Sequence, residues 1–290
     1  MNIYISIALI ILIIFIGLLS LIIYLFNLNR YYRLMLYHLK YFDYLYSMRP
    51  KLENAVISLT TTPKRLLNIS ETLKSLLDQS MQVEKIYLNI PYRLKKTGQP
   101  YIIPTYLQNL KSIEIVRCED YGPATKLLPV LNKVKPDDMI IYLDDDNIYP
   151  YRLVENLVTG SKKYPNCAIC IAGLQINRAT HKTYKKIAMF DTKVDIVQGY
   201  AGVLVKPKYF CFDEIFDYFK APKEFFTNDD FWISYQLTKY KIASIQLAFD
   251  AKNIPLATKN FFIDGLSTTV NSQNNAESIL LQYWTKHLKN

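Results

Sequence analysis

The sequence predicts an α/β domain, built on a mostly parallel sheet flanked by helices and carried behind one N-terminal transmembrane helix. Three observations predict it. From Ala55 onward, apolar runs of strand length alternate with helix-patterned segments, the order that produces a parallel sheet with crossover helices. One of these runs, Met139 to Leu143, ends abruptly in Asp144-Asp145-Asp146. Residues Ile3 to Phe26 are apolar apart from Ser6, Gly17 and Ser20, and a run of ~24 such residues is long enough to cross a bilayer.

The N-terminal run has no Lys or Arg before it and ends in Tyr24-Leu25-Phe26-Asn27, without a small-residue cleavage site. It therefore reads as an uncleaved anchor, residues 1–28, and not as a signal peptide. Arg30, Arg33 and Lys40 all follow it, so the positive-inside rule favours a cytoplasmic position for the C-terminal bulk. That local bias leaves the side of the membrane open. Tyr31 to Met48 is crowded with Tyr and Phe among a few cations, which suits a membrane interface and equally a helical stalk. Residues 29–52 are thus expected to be a juxtamembrane stalk and 53–290 the catalytic domain.

Within the domain, Ala55 to Leu59 is the first expected strand, followed by Thr60-Thr61-Thr62-Pro63. Thr62 can cap a helix that Pro63 begins, running to about Asp78. Asn68-Ile69-Ser70 matches a glycosylation sequon, but inside a helix it is not expected to be modified. Strands are expected at Lys85 to Ile90 and Ser112 to Val116, separated by a basic loop with Arg93, Lys95 and Lys96. Asp120-Tyr121-Gly122-Pro123-Ala124-Thr125-Lys126 leads into a helix from Leu127 to Val134, and then the acidic strand. A helix from Pro150 to Tyr164, a strand from Ala168 to Leu174, a Gly199/Gly202 pair before another strand, a helix opened by Asp229-Asp230, and a terminal helix from Ala276 to Leu288 complete the domain.

The 290-residue chain carries a net charge of +10, which favours anionic partners: a nucleotide, a phosphate-bearing substrate or an anionic membrane face. No long Lys/Arg block and no nucleic-acid module appear, so nucleic acid is not an expected partner. Cys167 and Cys170 have C-x-x-C spacing, but no second pair completes a zinc site. They and Cys118 and Cys211 read as core thiols.

Three carboxylates at a strand end repel unless something offsets them. Hard divalent cations suit carboxylate oxygens, and ligands in α/β sheets bind beyond the carboxyl ends of strands. Side chains alternate along a strand, so Asp144 and Asp146 are expected on one face and Asp145 on the other. A solvated acidic turn is the plainer alternative.

Taken in order, the Thr-rich turn Val56-Ile57-Ser58-Leu59-Thr60-Thr61-Thr62-Pro63, the segment Asp120 to Leu127, the triplet Asp144-Asp145-Asp146, Gly199-Tyr200-Ala201-Gly202 and Asp229-Asp230 resemble a glycosyltransferase of the GT-A fold, close to family 2. The resemblance runs from about Ala55 to Tyr240. It implies a nucleoside diphosphate sugar donor, UDP-linked by preference, and a hydroxyl acceptor on a glycan, lipid or protein. It implies that Thr60, Thr61 and Arg65 bind the nucleotide, that Asp120 contacts base or ribose, and that Lys126 meets a phosphate. Asp144 and Asp146 would hold Mn²⁺ or Mg²⁺, with Asp145 on the sugar or ribose. Gly199, Gly202 and Trp232 would lie on the acceptor and sugar side. Asp230, with Asp229 where the family has Glu, would act as general base in an inverting transfer. A retaining mechanism is the open alternative.

The family's Gln-x-x-Arg-Trp-like motif is missing, which argues against a processive polymer synthase. No histidine stands out as a final metal ligand: His287 is near the terminus and His181 reads as exposed. Rival classes are a phosphotransferase using an Asp-x-Asp strand end, a nucleotidyltransferase, and a membrane-tethered protein that binds sugar or nucleotide without turnover. The transferase reading requires that the carboxylates converge with Thr60, Lys126 and Asp230 around one cleft.

Overall fold

The computed structural model describes residues 3–26, 28–180, 182–185, 188–218, 221–263 and 276–288; His181 lies outside them. The chain forms two compact units, Met1–His38 and Leu39–Asn290. In the first unit α1, Ile3–Phe26, contains one stretch long and apolar enough to cross a membrane, Tyr4–Ile23, none of it buried. It is followed by α2, Leu28–Leu36, which carries Arg30 and Arg33.

The second unit begins with α3, Leu39–Tyr46. Half of the segment expected as a stalk therefore belongs to the domain. Its sequence explains why: Phe42 and Tyr46 lie one turn apart and are both buried. The Tyr46 hydroxyl accepts from Val83 N at 2.8 Å. Asp43 accepts from Lys111 N and Ser112 N at 2.9 and 3.0 Å, satisfying the backbone at the entry to a strand.

Strand β1, Ala55–Thr60, is buried up to the half-buried Thr60 and apolar apart from Ser58 and Thr60, as suits a central parallel strand. The helix expected from Thr62 to Asp78 is shorter. Arg65–Asn68 form a 3₁₀ turn, and α4, Ser70–Leu77, follows. Asn68 is the exposed last residue of that 3₁₀ turn, and Ser70 of its sequon is the first residue of α4. Next come β2, Lys85–Pro91, α5, Thr105–Gln108, and β3, Ile113–Cys118. A 3₁₀ turn, Ala124–Lys126, and the one-turn α6, Leu128–Leu131, stand where a longer helix was expected.

The acidic strand is β4, Met139–Leu143, and a two-residue β5, Asn147–Ile148, follows the carboxylates. Helix α7, Leu153–Lys163, leads to β6, Ala168–Cys170. The single strand expected to reach Leu174 is broken at Ile171-Ala172, and β7, Gly173–Asn177, turns into a second sheet. The chain continues through β8, Lys182–Tyr184, β9, Thr192–Val194, β10, Ile196–Val197, and β11, Val203–Val205. Helices α8, Phe212–Ile215, and α9, Asp229–Lys239, precede β12, Ser244–Gln246, and β13, Leu256–Ala257. A last helix spans Ala276–His287.

The main sheet has eight strands in the order β3-β2-β1-β4-β11-β6-β12-β9. The first four are parallel, and β11 runs antiparallel between β4 and β6. This mixed, mostly parallel sheet flanked by helices is the architecture expected from the sequence. The four cysteines are free, Cys170 fully buried.

Candidate active site

The register of the sheet assembles the site. Strands β1 and β4 are adjacent and parallel, with Leu59 opposite Leu143. Two residues further on, Thr61 therefore stands beside Asp145, and its hydroxyl donates to Asp145 Oδ2. Strand β11 runs the other way, with Val203 opposite Tyr142, so the turn before it, Gly199–Ala201, arrives at the same edge as Asp144. The first turn of α9 brings Asp229 and Asp230.

At the centre is Lys126, whose side chain is only 4% exposed. Its Nζ lies 2.5 Å from Asp144 Oδ1 and 2.9 Å from Asp229 Oδ2. Asp230 Oδ1 accepts from Gly199 N at 2.9 Å. A Cβ on Gly199 would sit 2.6 Å from Lys126 Nζ, so only glycine lets the backbone pass the buried ammonium. Gly199→Ala is expected to push Lys126 off Asp144 and to lower stability by about 1–3 kcal/mol, the usual cost of overpacking a tight site, with no gross unfolding. Denaturant unfolding and circular dichroism check the two parts.

A second cation, Arg65, closes the other side. Its Nη1 lies 2.7 Å from Asp145 Oδ1, its Nη2 3.4 Å from Asp146 Oδ2, and its Nε donates to Ile263 O at 2.7 Å. Asp146 also accepts from Asn147 Nδ2 at 2.7 Å. Tyr149 fixes the backbone of Asp144, its hydroxyl 2.9 Å from both Asp144 N and Asp144 O.

Five carboxylates thus share two cations, a formal charge of −3 if all are ionised (two minus five). The electrostatics follow. Burial, then Asp144 and Asp145, push Asp146 up to about 7. Burial and the adjacent Asp229 push Asp230 up to about 8. Asp145 and Asp229 are raised too, by burial first. Burial works against the Lys126 ammonium, but Asp144, Asp229 and Asp230 outweigh it and hold its pKa well above the ordinary lysine value.

Several side chains assigned from the resemblance do other work. Asp145 is 3% exposed, with both carboxylate oxygens taken by Thr61 and Arg65. It ties the loop to β1 and the turn after it through these two partners. Arg65 is spent on that same pair. Thr60 donates to Asn89 O at 2.9 Å, bracing β1 against β2, so Thr61 and not Thr60 reaches the acidic loop. Asp120 is buried and accepts from Lys95 N at 2.7 Å and Gly122 N at 2.8 Å, fixing two turns. Trp232 is a core residue: its ring stacks on Tyr218 and its Nε1 donates to Ile215 O at 2.9 Å. Gly202 answers a backbone need, with φ at +104°, and packs against Leu143 and Leu153. His287 stacks on Tyr283, on the terminal helix.

The triplet lies just past the end of β4, with side-chain exposures of 31% for Asp144 and 14% for Asp146, while Asp145 is buried. Among the described residues no three His, Cys, Asp or Glu side chains form a metal-binding group by themselves. The donor set fits a cation that takes one or two carboxylates and completes its shell with water and substrate phosphates, as Mg²⁺ does. The raised Asp146 is the expected mark of crowded carboxylates that a cation would relieve.

The fold and site together define a mixed α/β domain with a carboxylate–lysine cluster at the carboxyl ends of β1 and β4. No family model matches the chain, and no curated protein matches it. Two solved structures, both of S. aureus TarS, are similar to it in fold. The crystal structure of TarS 1-349 has 13% identity and a TM-score of 0.46, covering 73% of this chain and 61% of that one. A second TarS crystal structure has 14% identity and the same TM-score, covering 73% of this chain and 37% of that one. The chain thus spans less than two thirds of the length of either.

Proposed function

We propose that this protein is a metal-dependent glycosyltransferase that moves a sugar from a nucleoside diphosphate sugar, UDP-linked by preference, to a hydroxyl acceptor. The observation that carries the reading is the meeting of Asp144, Lys126, Asp229 and the Gly199-bound Asp230 at one edge of the mixed sheet, beyond the carboxyl ends of β1 and β4, with Asp146 beside Asp144.

In this reading Asp144 and Asp146 would hold Mn²⁺ or Mg²⁺, which supplies positive charge to the diphosphate leaving group. Lys126 turns a point charge toward the same region and is ion-paired to Asp144. Asp230, with one oxygen fixed by Gly199 N, takes the acceptor proton on its other oxygen as the hydroxyl attacks the anomeric carbon. The carbon–oxygen bond to the diphosphate breaks as the new glycosidic bond forms. A base near pKa 8 suits this work. The N-terminal helix would tether the domain to a membrane, where the acceptor is a glycan, lipid or protein.

The test is a donor screen by nucleotide release, on the full chain in detergent, with and without Mn²⁺. Release or transfer with one donor, suppressed by a chelator, is the expected result. No turnover with any common donor and no nucleotide binding would overturn the reading. Affinity without turnover would identify a binding protein. Turnover undiminished by chelation would assign the charge stabilisation to Lys126 and remove the metal.

A further inference from the structure

The acidic loop is held from a distant part of the chain. Thr258 N donates to Asp146 O at 2.8 Å, extending the pairing of β13 with β5. Two residues on, Asn260 is fully buried. Its Nδ2 donates to Asp145 O at 3.2 Å and to Arg65 O at 3.0 Å. Three residues further, Ile263 O accepts from Arg65 Nε. The Thr258 hydroxyl in turn accepts from Asn260 N at 3.2 Å, shaping the turn that presents the amide.

One side chain therefore joins the backbone of Asp145, in the acidic loop, to the backbone of Arg65, the cation that neutralises that loop. The carbonyl oxygen of Asn260 is buried and has no hydrogen-bond partner among the described residues. Such an oxygen is costly to bury. Packing alone would be served better by an apolar side chain, so the two bonds made by Nδ2 are what the position requires.

We propose that Asn260 is a positioning residue, which sets the spacing between Arg65 and the Asp144-Asp145-Asp146 loop so that Asp144 and Asp146 present their oxygens together. It touches no reacting atom; it acts through the backbone of its two neighbours. The inference rests on the reading of this loop as the cation and diphosphate site.

The test compares Asn260→Ala, Asn260→Ser and Asn253→Ala in the full chain, titrated with Mn²⁺ in the presence of UDP. Asn253 is the control, because its side chain accepts from Asn156 Nδ2 at 2.7 Å, on the same segment and away from the carboxylates. Asn260→Ala is expected to weaken Mn²⁺–UDP binding about tenfold, in the range known for residues that orient metal ligands. The serine, which keeps one short donor, should recover part of it, and Asn253→Ala should bind as the parent does. Amide hydrogen exchange of residues 145–148 gives a ligand-free readout: faster in Asn260→Ala, unchanged in Asn253→Ala. Equal binding by Asn260→Ala and Asn253→Ala overturns the proposal. If the parent chain binds no Mn²⁺–UDP while exchange still quickens only in Asn260→Ala, the functional reading has failed and the loop-positioning role stands. Unchanged exchange in Asn260→Ala removes that role as well.

Discussion

Replacing Lys126 with methionine is expected to lower the stability of the domain by about 3 kcal/mol at pH 8 and to abolish nucleotide binding. Methionine keeps most of the volume but none of the charge. It leaves Asp144 and Asp229 facing each other without the ammonium that lies 2.5 and 2.9 Å from them. The loss should shrink as pH falls. Burial, with Asp144 beside Asp229 and Asp229 beside Asp230, raises both above their unfolded values, Asp230 to about 8. Between about pH 4 and 8 the folded state therefore binds more protons than the unfolded chain, and its stability rises as pH is lowered through that window. The variant, lacking the lysine charge, has these groups raised further and gains more. Denaturant unfolding of both proteins at pH 8 and pH 5.5 checks this. An equal deficit at both would mean that the lysine contributes packing and not charge.

The second large effect is on turnover. Asp230→Asn should leave donor binding within about threefold and lower kcat by about 10² to 10⁴, the usual contribution of a general base. The amide oxygen can still accept from Gly199 N, so the first turn of α9 keeps its place while the proton acceptor is lost. In the parent protein kcat should climb with pH until about 8, because the carboxylate works only when ionised and its pKa is raised to that value. The variant should lack that limb. A variant whose donor affinity falls as steeply as its kcat would show that Asp230 holds the site together instead of accepting a proton.

What the sequence made legible was local or periodic. β1, β2 and β4 are short apolar runs stopped by polar residues, and they stand where the pattern puts them. Asp145 lies past the end of β4, and its burial comes from Thr61 and Arg65, which take its two oxygens. Boundaries set by weak signals shifted. Thr62-Pro63 opens a turn before a 3₁₀ segment because the chain must first carry Arg65 to the acidic loop. The strand from Ala168 is cut at Ile171-Ala172, and Gly173 opens β7 in the second sheet with its backbone close against Val194 of β9 in the main sheet.

The roles of polar residues were less legible. Asp120, Asp145 and Arg65 carry the residue types that bind nucleotides, yet their hydrogen-bonding groups are engaged with partners up to 198 positions away. Trp232, placed by the resemblance on the acceptor and sugar side, is a core ring. Asn260, Thr258 and Tyr149 carried no signal. A buried amide that bonds two carbonyls has no spacing rule, and its partners lie 195 and 115 residues distant.

By itself the sequence determined the apolar N-terminal helix, the mostly parallel sheet and the presence of an acidic cluster at the end of one strand, because composition and periodicity act over a few residues. Only the tertiary structure decided which of those carboxylates are presented and which are consumed. That division depends on where β1, β11 and α9 bring Thr61, Gly199, Asp229 and Asp230. A buried charge is settled by the partners the fold supplies, not by its neighbours along the chain.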